Sequence, residues 1–251
     1  MSGKISGIII AKNEEDLIAD AIDSLNFCDE VIVIDNNSSD RTSEVSQRLG
    51  ASVFSKDTDD FSKLREFGLE KAEGEWIFYL DADERAVKRL GEEIKYRITL
   101  PDFVAYRVPR KNYYLGKNEW PKVEYLERLF KNDALKGWSG KLHESPQVEG
   151  KIGKLENPII HFTHRDLSSM LNKTIVWSDI EAKTRFEMKH PKMSLWRFPR
   201  VMVPTFFNYY FKQGGYKLGT AGLIESIFQA YSTFITYAKL WELQETVIER
   251  K

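Results

Sequence analysis

Residues 76–84 read WIFYLDADE. The run Trp76 to Leu80 is apolar and aromatic, as expected of a strand buried on both faces. Three carboxylates follow within four positions: Asp81, Asp83 and Glu84. In an extended segment residues i and i+2 point to one side, so Asp81 and Asp83 can face a single ligand. Held that close, they repel unless a cation lies between them or one takes up a proton. An isolated Asp-x-Asp is most often a solvated turn, here with Glu84 starting the next helix. Its position along the chain decides between the two readings.

Working outward, the segments before it alternate. ISGIII (5–10), EVIVID (30–35) and ASVFSK (51–56) are short β-rich runs. EEDLIADAIDSLNF carries Leu17, Ile18, Ala21, Ile22 and Leu25 at helical spacing. NNSSD is a polar turn in which Ser39 or Asp40 can cap a second helix. FSKLREFGLEKA (61–72) reads as a third helix ended by Gly74. Apolar strands separated by helices predict an α/β fold, with a mostly parallel sheet covered on both faces and right-handed, Rossmann-like crossovers. Ligands bind beyond the carboxyl ends of such strands. Asp35, Asp81 and Asp83 all lie there, so the acidic pair reads as a binding site for a hard divalent cation, Mg²⁺ or Mn²⁺, which also takes phosphate oxygens.

Composition narrows the classes. The 251 residues are 42% hydrophobic and 30% charged, with a formal net charge of −1. Nothing global points to nucleic acid. Cys28 is the single cysteine, so no internal disulfide forms and a reducing, cytoplasmic compartment is expected. The first apolar run is too short for a signal peptide, and acidic residues follow it. Neither G-x-G-x-x-G nor G-x-x-x-x-G-K-[ST] occurs, which disfavours dinucleotide oxidoreductases and P-loop enzymes.

IIIAKNEEDLIADAIDSL, DEVIVIDNNSSDRT and LREFGLEKAEGEWIFYLDADE, in this order, resemble the nucleotide-binding half of family 2 glycosyltransferases of the GT-A fold. The resemblance covers roughly residues 4 to 90. It implies an inverting transferase that uses a nucleotide sugar. Ala11, Asn13 and Glu14 would border the nucleotide, and Asp35 would contact uracil or ribose. Arg65 would help hold the nucleotide. Asp81 and Asp83 would bind the metal, Mn²⁺ or Mg²⁺, with Asp83 the more direct ligand. Arginine on an amphipathic helix is otherwise usually a solvated face residue.

Further along, LHE followed by IIHFTHRD, then NYYFKQGGYKLG and an aromatic helix, resemble a subgroup of that family. It includes bacterial lipopolysaccharide core β-glucosyltransferases. That likeness implies a hexose, glucose being favoured, from a UDP-sugar, and a glycan or glycolipid acceptor of the cell envelope. It makes Glu144 the base, with Trp138 and His143 as neighbours. His161 or His164 would contact the diphosphate or complete the manganese shell. The histidine spacing matches no standard zinc site, and cysteine ligands are lacking.

The expected organisation is a catalytic domain over 1–165, made of a nucleotide half (1–90) and an acceptor half (91–165). A helical, aromatic and basic region follows over 166–251. Pro199 and Pro204 are expected to kink or break a helix there. Residues 194–240 suit contact with a membrane surface or with a second copy of the chain. Competing readings are a sugar-nucleotide-forming nucleotidyltransferase, though no Gly-rich basic loop follows the first strand, and a glycosyltransferase acting on a protein or another lipid-linked acceptor. An aspartate-nucleophile phosphatase would want Asp-x-Asp after its first strand. A sugar-binding module would need neither a nucleotide edge nor a downstream carboxylate.

Overall fold

The computed structural model describes residues 3–140 and 144–249. They form two compact units. The first comprises residues up to Lys111 together with Val123–His161; the second comprises Asn112–Lys122 and Phe162 onward.

In the first unit the strands are β1 (Ile5–Ala11), β2 (Glu30–Asp35), β3 (Ser52–Ser55), β4 (Trp76–Asp81) and β5 (Glu84–Ala86). They are followed by β6 (Ala105–Tyr114), which runs on into the second unit, where β7 (Asn118–Glu119) turns back on its end. β8 (Glu124–Lys131), β9 (Leu135–Ser139), β10 (Ser145–Val148), β11 (Ile152–Lys154) and β12 (Ile159–Phe162) complete the set. The helices are α1 (Ile18–Ser24), α2 (Thr42–Arg48), α3 (Phe61–Lys71) and α4 (Lys88–Arg97). The sheet order is β3-β2-β1-β4-β8-β6-β12-β5. β3, β2, β1 and β4 are parallel; β8 joins β4 antiparallel and makes the sheet mixed. β9 and β10 form a separate hairpin.

The four parallel strands are apolar on both faces because both are covered. Ile5, Ile9, Val33, Phe78 and Leu80 pack with α1 and α4 on one side; Ile8, Ile10, Ile32, Ile34, Ile77 and Tyr79 pack with α3 on the other. Alternation along each strand sends successive side chains to opposite faces. Cys28 lies beneath the first of these clusters, and burial pushes its thiol pKa up, which leaves it protonated and unreactive.

Three local expectations change. α3 ends at Lys71 with Ala72 as its C-cap, within one residue of the expected end, so Gly74 is not the residue that caps it. Gly74 is required for another reason: a Cβ there would stand 2.6 Å from the Ser6 nitrogen and 2.9 Å from the Lys4 oxygen. Glu84 does not start a helix but opens β5, and α4 begins only at Lys88. Asp40 lies one residue before the N-cap, yet its carboxylate still accepts from Thr42 N at 3.0 Å.

The second unit is helical: α5 (Leu167–Glu187), α6 (Arg197–Phe207) and α7 (Gly219–Glu249), with α7 packed on both others. Asp166 and Ser169 form a capping box that starts α5. The expected break at the prolines does not occur. Pro199 sits in the first turn of α6, where a missing N–H costs nothing, and Pro204 is carried within the helix. The chain then widens into a π-turn over Asn208–Lys212. Trp120 is buried beside it, edge-on to Tyr114 with ring centroids 5.1 Å apart, its indole N–H donating to Gln213 Oε1 at 3.0 Å.

The glycines near the start of α7 let backbones meet. A Cβ on Gly222 would stand 1.8 Å from the Gly215 carbonyl oxygen. Alanine normally favours a helix over glycine by about 1 kcal/mol. Here the clash is with backbone, so Gly222→Ala should lose a net 1–3 kcal/mol, roughly the overpacking range. A urea-unfolding midpoint equal to or above wild type would contradict this close approach.

Candidate active site

The parallel strands end together. Ala11 pairs in register with Asp35, and Ile10 with Asp81. Two strand spacings therefore separate Asp35 from Asp81, about 10 Å along the carboxyl edge. Asp35 is buried, and its carboxylate accepts from the Ser38 backbone N–H and hydroxyl. Ser38 Oγ in turn accepts from Asn13 N at 2.9 Å, and Asn13 Oδ1 accepts from Ser39 N at 2.8 Å. Asn13 adopts a left-handed conformation, φ 55°. Glu14 N donates to Thr42 Oγ1 at 2.8 Å. The loops after β1 and β2 are thus stitched into one rim, which brings Ala11, Asn13, Glu14 and Asp35 together.

Beside that rim runs a chain of alternating charges. Arg65, from α3, donates through Nε to Glu144 Oε1 at 2.7 Å and through Nη2 to Asp81 Oδ1 at 3.1 Å. Arg128, from β8, donates through Nη2 to Asp81 Oδ2 at 2.6 Å and to Glu84 Oε1 at 3.0 Å. Arg110, from β6, reaches Glu84 Oε1 at 3.1 Å and Glu124 Oε2 at 2.6 Å. Glu84 has no exposed surface, and its second oxygen accepts from Asp81 N at 3.0 Å. Burial drives the Asp81 carboxyl pKa up, but Arg128 and Arg65 more than reverse this and hold it well below the usual carboxylate range.

Arg65 is itself buried between aromatic rings. Its guanidinium lies 5.0 Å from the Trp138 ring centroid and 5.4 Å from that of Tyr79. Trp138 stacks edge-on against Tyr79 at 5.1 Å and against Phe130 at 5.6 Å. Arg65 Nη1 is buried and meets no hydrogen-bond acceptor of the protein among the described residues. A buried donor of this kind calls for a partner from outside.

Asp83 faces another way. Its Oδ2 stands 3.4 Å from His161 Nε2 on β12, and both side chains are largely buried. His164, in the second unit, has a different task. Its Nδ1 is 3.1 Å from both oxygens of Glu225, a fully buried carboxylate that also accepts from Gln229 Nε2 at 2.7 Å. His143 lies outside the described residues. So Asp81, Arg65 and Glu144 form one linked group, Asp83 and His161 a second, and His164 is anchored to α7.

The sequence does not single out Arg128, Arg110 or Glu124, and it offers Glu84 only as a weaker member of the acidic cluster that starts a helix. The signal for Arg128 is faint: an arginine beside the apolar pair Leu129–Phe130 in a strand. What aims it is a β-bulge. Tyr106 of β6 pairs with Leu129 and Arg107 with Glu127, so Arg128 is left over between them. A bulge of this kind redirects the side chain of the extra residue.

The fold and the edge define a glycosyltransferase: the model of glycosyl transferase family 2 matches residues 6–170, and the chain belongs to that family. Relatives extend over nearly all of it. It is 27% identical over 252 residues to the lipopolysaccharide core biosynthesis glycosyltransferase LpsC of Rhizobium meliloti (strain 1021), covering 95% of this chain and 92% of that one. It is 28% identical over 257 residues to the uncharacterized glycosyltransferase RP128 of Rickettsia prowazekii (strain Madrid E), covering 96% and 87%. Among solved structures, S. aureus TarS 1-349 in complex with UDP-GlcNAc superposes with a TM-score of 0.52 at 15% identity, covering 99% of this chain and 92% of that one. That likeness supports the GT-A fold.

Two outcomes test the charge chain. Arg128→Ala leaves Glu84 buried beside Arg110 alone and Asp81 without its closest partner, so unfolding free energy should fall by about 3–5 kcal/mol. Asp81, with its lowered folded-state pKa, stabilises the fold above the ordinary carboxylate pKa, and that contribution drains away as pH falls below about 4. The stability deficit of Asp81→Asn, measured by chemical denaturation, should therefore be largest near neutrality and shrink in acid. A deficit independent of pH would show that Asp81 is not held ionised by its arginines.

Proposed function

We propose that this glycosyltransferase moves a hexose, glucose being the favoured one, from a UDP-sugar to a cell-envelope glycan such as the lipopolysaccharide core at the cytoplasmic face, with inversion. The observation that carries the mechanism is Arg65, which bridges Asp81 on the donor edge to Glu144 and so fixes the donor and the base in one frame. The relative named for lipopolysaccharide core biosynthesis supports the acceptor class.

In this reading the rim of Ala11, Asn13, Glu14 and Asp35 takes the nucleoside. The buried Nη1 of Arg65 donates to an oxygen of the nucleotide. Glu144 accepts the proton of the acceptor hydroxyl. The acceptor oxygen bonds to the anomeric carbon from the face opposite the diphosphate, the bond from that carbon to the diphosphate oxygen breaks, and the nucleoside diphosphate leaves. Trp138 keeps Arg65 in place and so orients Glu144.

The residues fit a hard divalent cation, Mn²⁺ or Mg²⁺. Asp83 Oδ2 and His161 Nε2 face each other at 3.4 Å and supply one oxygen and one nitrogen donor. Among the described residues no group of three or more His, Cys, Asp or Glu side chains is placed to hold a metal. The remaining ligands would therefore come from the diphosphate and water. Such an ion would neutralise charge on the departing diphosphate. Asp81 is engaged by two arginines, so in this reading it organises the edge and Asp83 is the direct ligand.

Thermal shifts with UDP-, GDP- and dTDP-sugars, with and without Mn²⁺, test the donor. A UDP-sugar with Mn²⁺ at 100 times its dissociation constant should stabilise the protein by about 2.7 kcal/mol. Asp83→Ala should abolish the metal-dependent part. Glu144→Gln should keep donor binding and lose transfer by a hundredfold or more, in the range typical of a lost general base. Transfer at wild-type rate by Glu144→Gln would remove it as the base, and no shift with any sugar nucleotide would remove the donor reading.

A further inference from the structure

From Met188 to Ile224 the chain has no acidic residue at all, yet it carries Lys189, Lys192, Arg197, Arg200, Lys212 and Lys217. The whole chain has nearly balanced charge, so this imbalance is local. Eight aromatic residues, Trp196 through Tyr216, are interleaved with the cations.

Part of this set lines one stripe of the helical unit, while Phe198 packs inward on Phe234 and Lys192 pairs with Glu245. α6 contains no buried residue. Trp196, Arg200, Val203 and Phe207 fall at i, i+4, i+7 and i+11, which is one helical stripe. All four are exposed, Trp196 by 76% and Phe207 by 51%. Phe211, in the π-turn, extends the stripe, its ring stacked on that of Phe207 at 5.2 Å. Arg197, Arg200, Lys212 and Lys217 form no ion pair with a carboxylate among the described residues. Tyr216 and Lys217 are exposed as well, with the Tyr216 ring 6.4 Å from that of Tyr210 in the π-turn.

From this we infer that the face of α6 and the following π-turn docks on an anionic lipid bilayer. The rings would sit at headgroup level and the cations against lipid phosphates. The contact is superficial: among the described residues no helix is long and apolar enough to cross a membrane. Charge selects this occupant over a second copy of the chain. A two-fold dimer sets a patch against itself, so Arg200 and Lys212 would meet the partner's cations with no acid between residues 188 and 224 to offset them. The inference is independent of which sugar or acceptor the enzyme uses.

The test is flotation of the full chain with vesicles of phosphatidylcholine alone and with about one-third phosphatidylglycerol. The protein should float with the anionic vesicles only and be released by high salt. Arg200→Glu and Lys212→Glu should each weaken binding at least fivefold, the equivalent of about 1 kcal/mol per cation. Phe207→Ala combined with Phe211→Ala should weaken it further, while circular-dichroism melts show the variants folded. Absence of flotation, equal flotation with neutral vesicles, or charge-reversed variants that float like wild type would each overturn the inference. So would light scattering that shows a dimer which Phe207→Ala and Phe211→Ala convert to monomer, since the face would then belong to a second copy.

Discussion

A carboxylate with no exposed surface must have its charge met inside the protein, and Glu84 is such a group. Arg128 and Arg110 meet it from two different strands, and the backbone of Asp81 occupies its second oxygen. This fixes more than one side chain. The backbone bond from Asp81 to Glu84 closes the turn that carries Asp83, so Asp83 points where that turn points. Arg128 also holds Asp81, and through Asp81 the chain of charges reaches Arg65 and then Glu144. Geometry at the candidate base is thus set by a pairing at the far end of the chain. Asp81 and Glu84 are each shared between two arginines, which makes the network rigid, because moving one member leaves another buried and unpaired.

Much of the frame was legible in the sequence, and the reason is periodicity. Four apolar runs separated by helical spacing can hardly bury themselves other than in a covered parallel sheet, and acids just past the runs must fall at its carboxyl edge. Glu84, Arg128 and Gly74 share a different property: each depends on a contact remote in the chain. Glu84 follows an acidic turn and precedes basic, helix-compatible residues, so local signals favour a helix start; only Arg110 and Arg128, dozens of residues away, make it a buried strand residue. Arg128 owes its direction to a two-for-one count against β6, which no property of β8 alone reveals. Gly74 looks like a helix stop, yet its lack of a side chain answers to Ser6 and Lys4.

The same logic resolves the polar residues of α7. An apolar helix carrying Glu225 and Gln229 invites comparison with a membrane segment spoiled by charge. In the structure the two residues form a local hydrogen-bonded pair that captures His164, whose left-handed backbone and ring contacts with Tyr114 and Phe228 pin the start of the helical unit. Buried polarity there fixes the start of the helical unit, while α7 packs on α5 and α6 and buries Phe228, Ala230 and Leu240.

The charge chain also bears on why the edge would call for a cation under the proposed mechanism. Glu124, Glu84, Asp81 and Glu144 alternate with Arg110, Arg128 and Arg65, and Asp83 adds a further carboxylate at the turn. The guanidinium groups here, Arg85 beside Asp83 included, are already engaged by carboxylates and backbone carbonyls. A diphosphate brings more negative charge to that place, and in a partly buried site such repulsion is poorly screened. Arg65 contributes one unpartnered nitrogen, Nη1, which under that mechanism would orient an oxygen without balancing the charge. A divalent ion, with Asp83 as its ligand, would offset that repulsion, and the arginines would stay bonded to the carboxylates they position. On this account the arginines build the edge, and the metal makes it a place where an anion can bind.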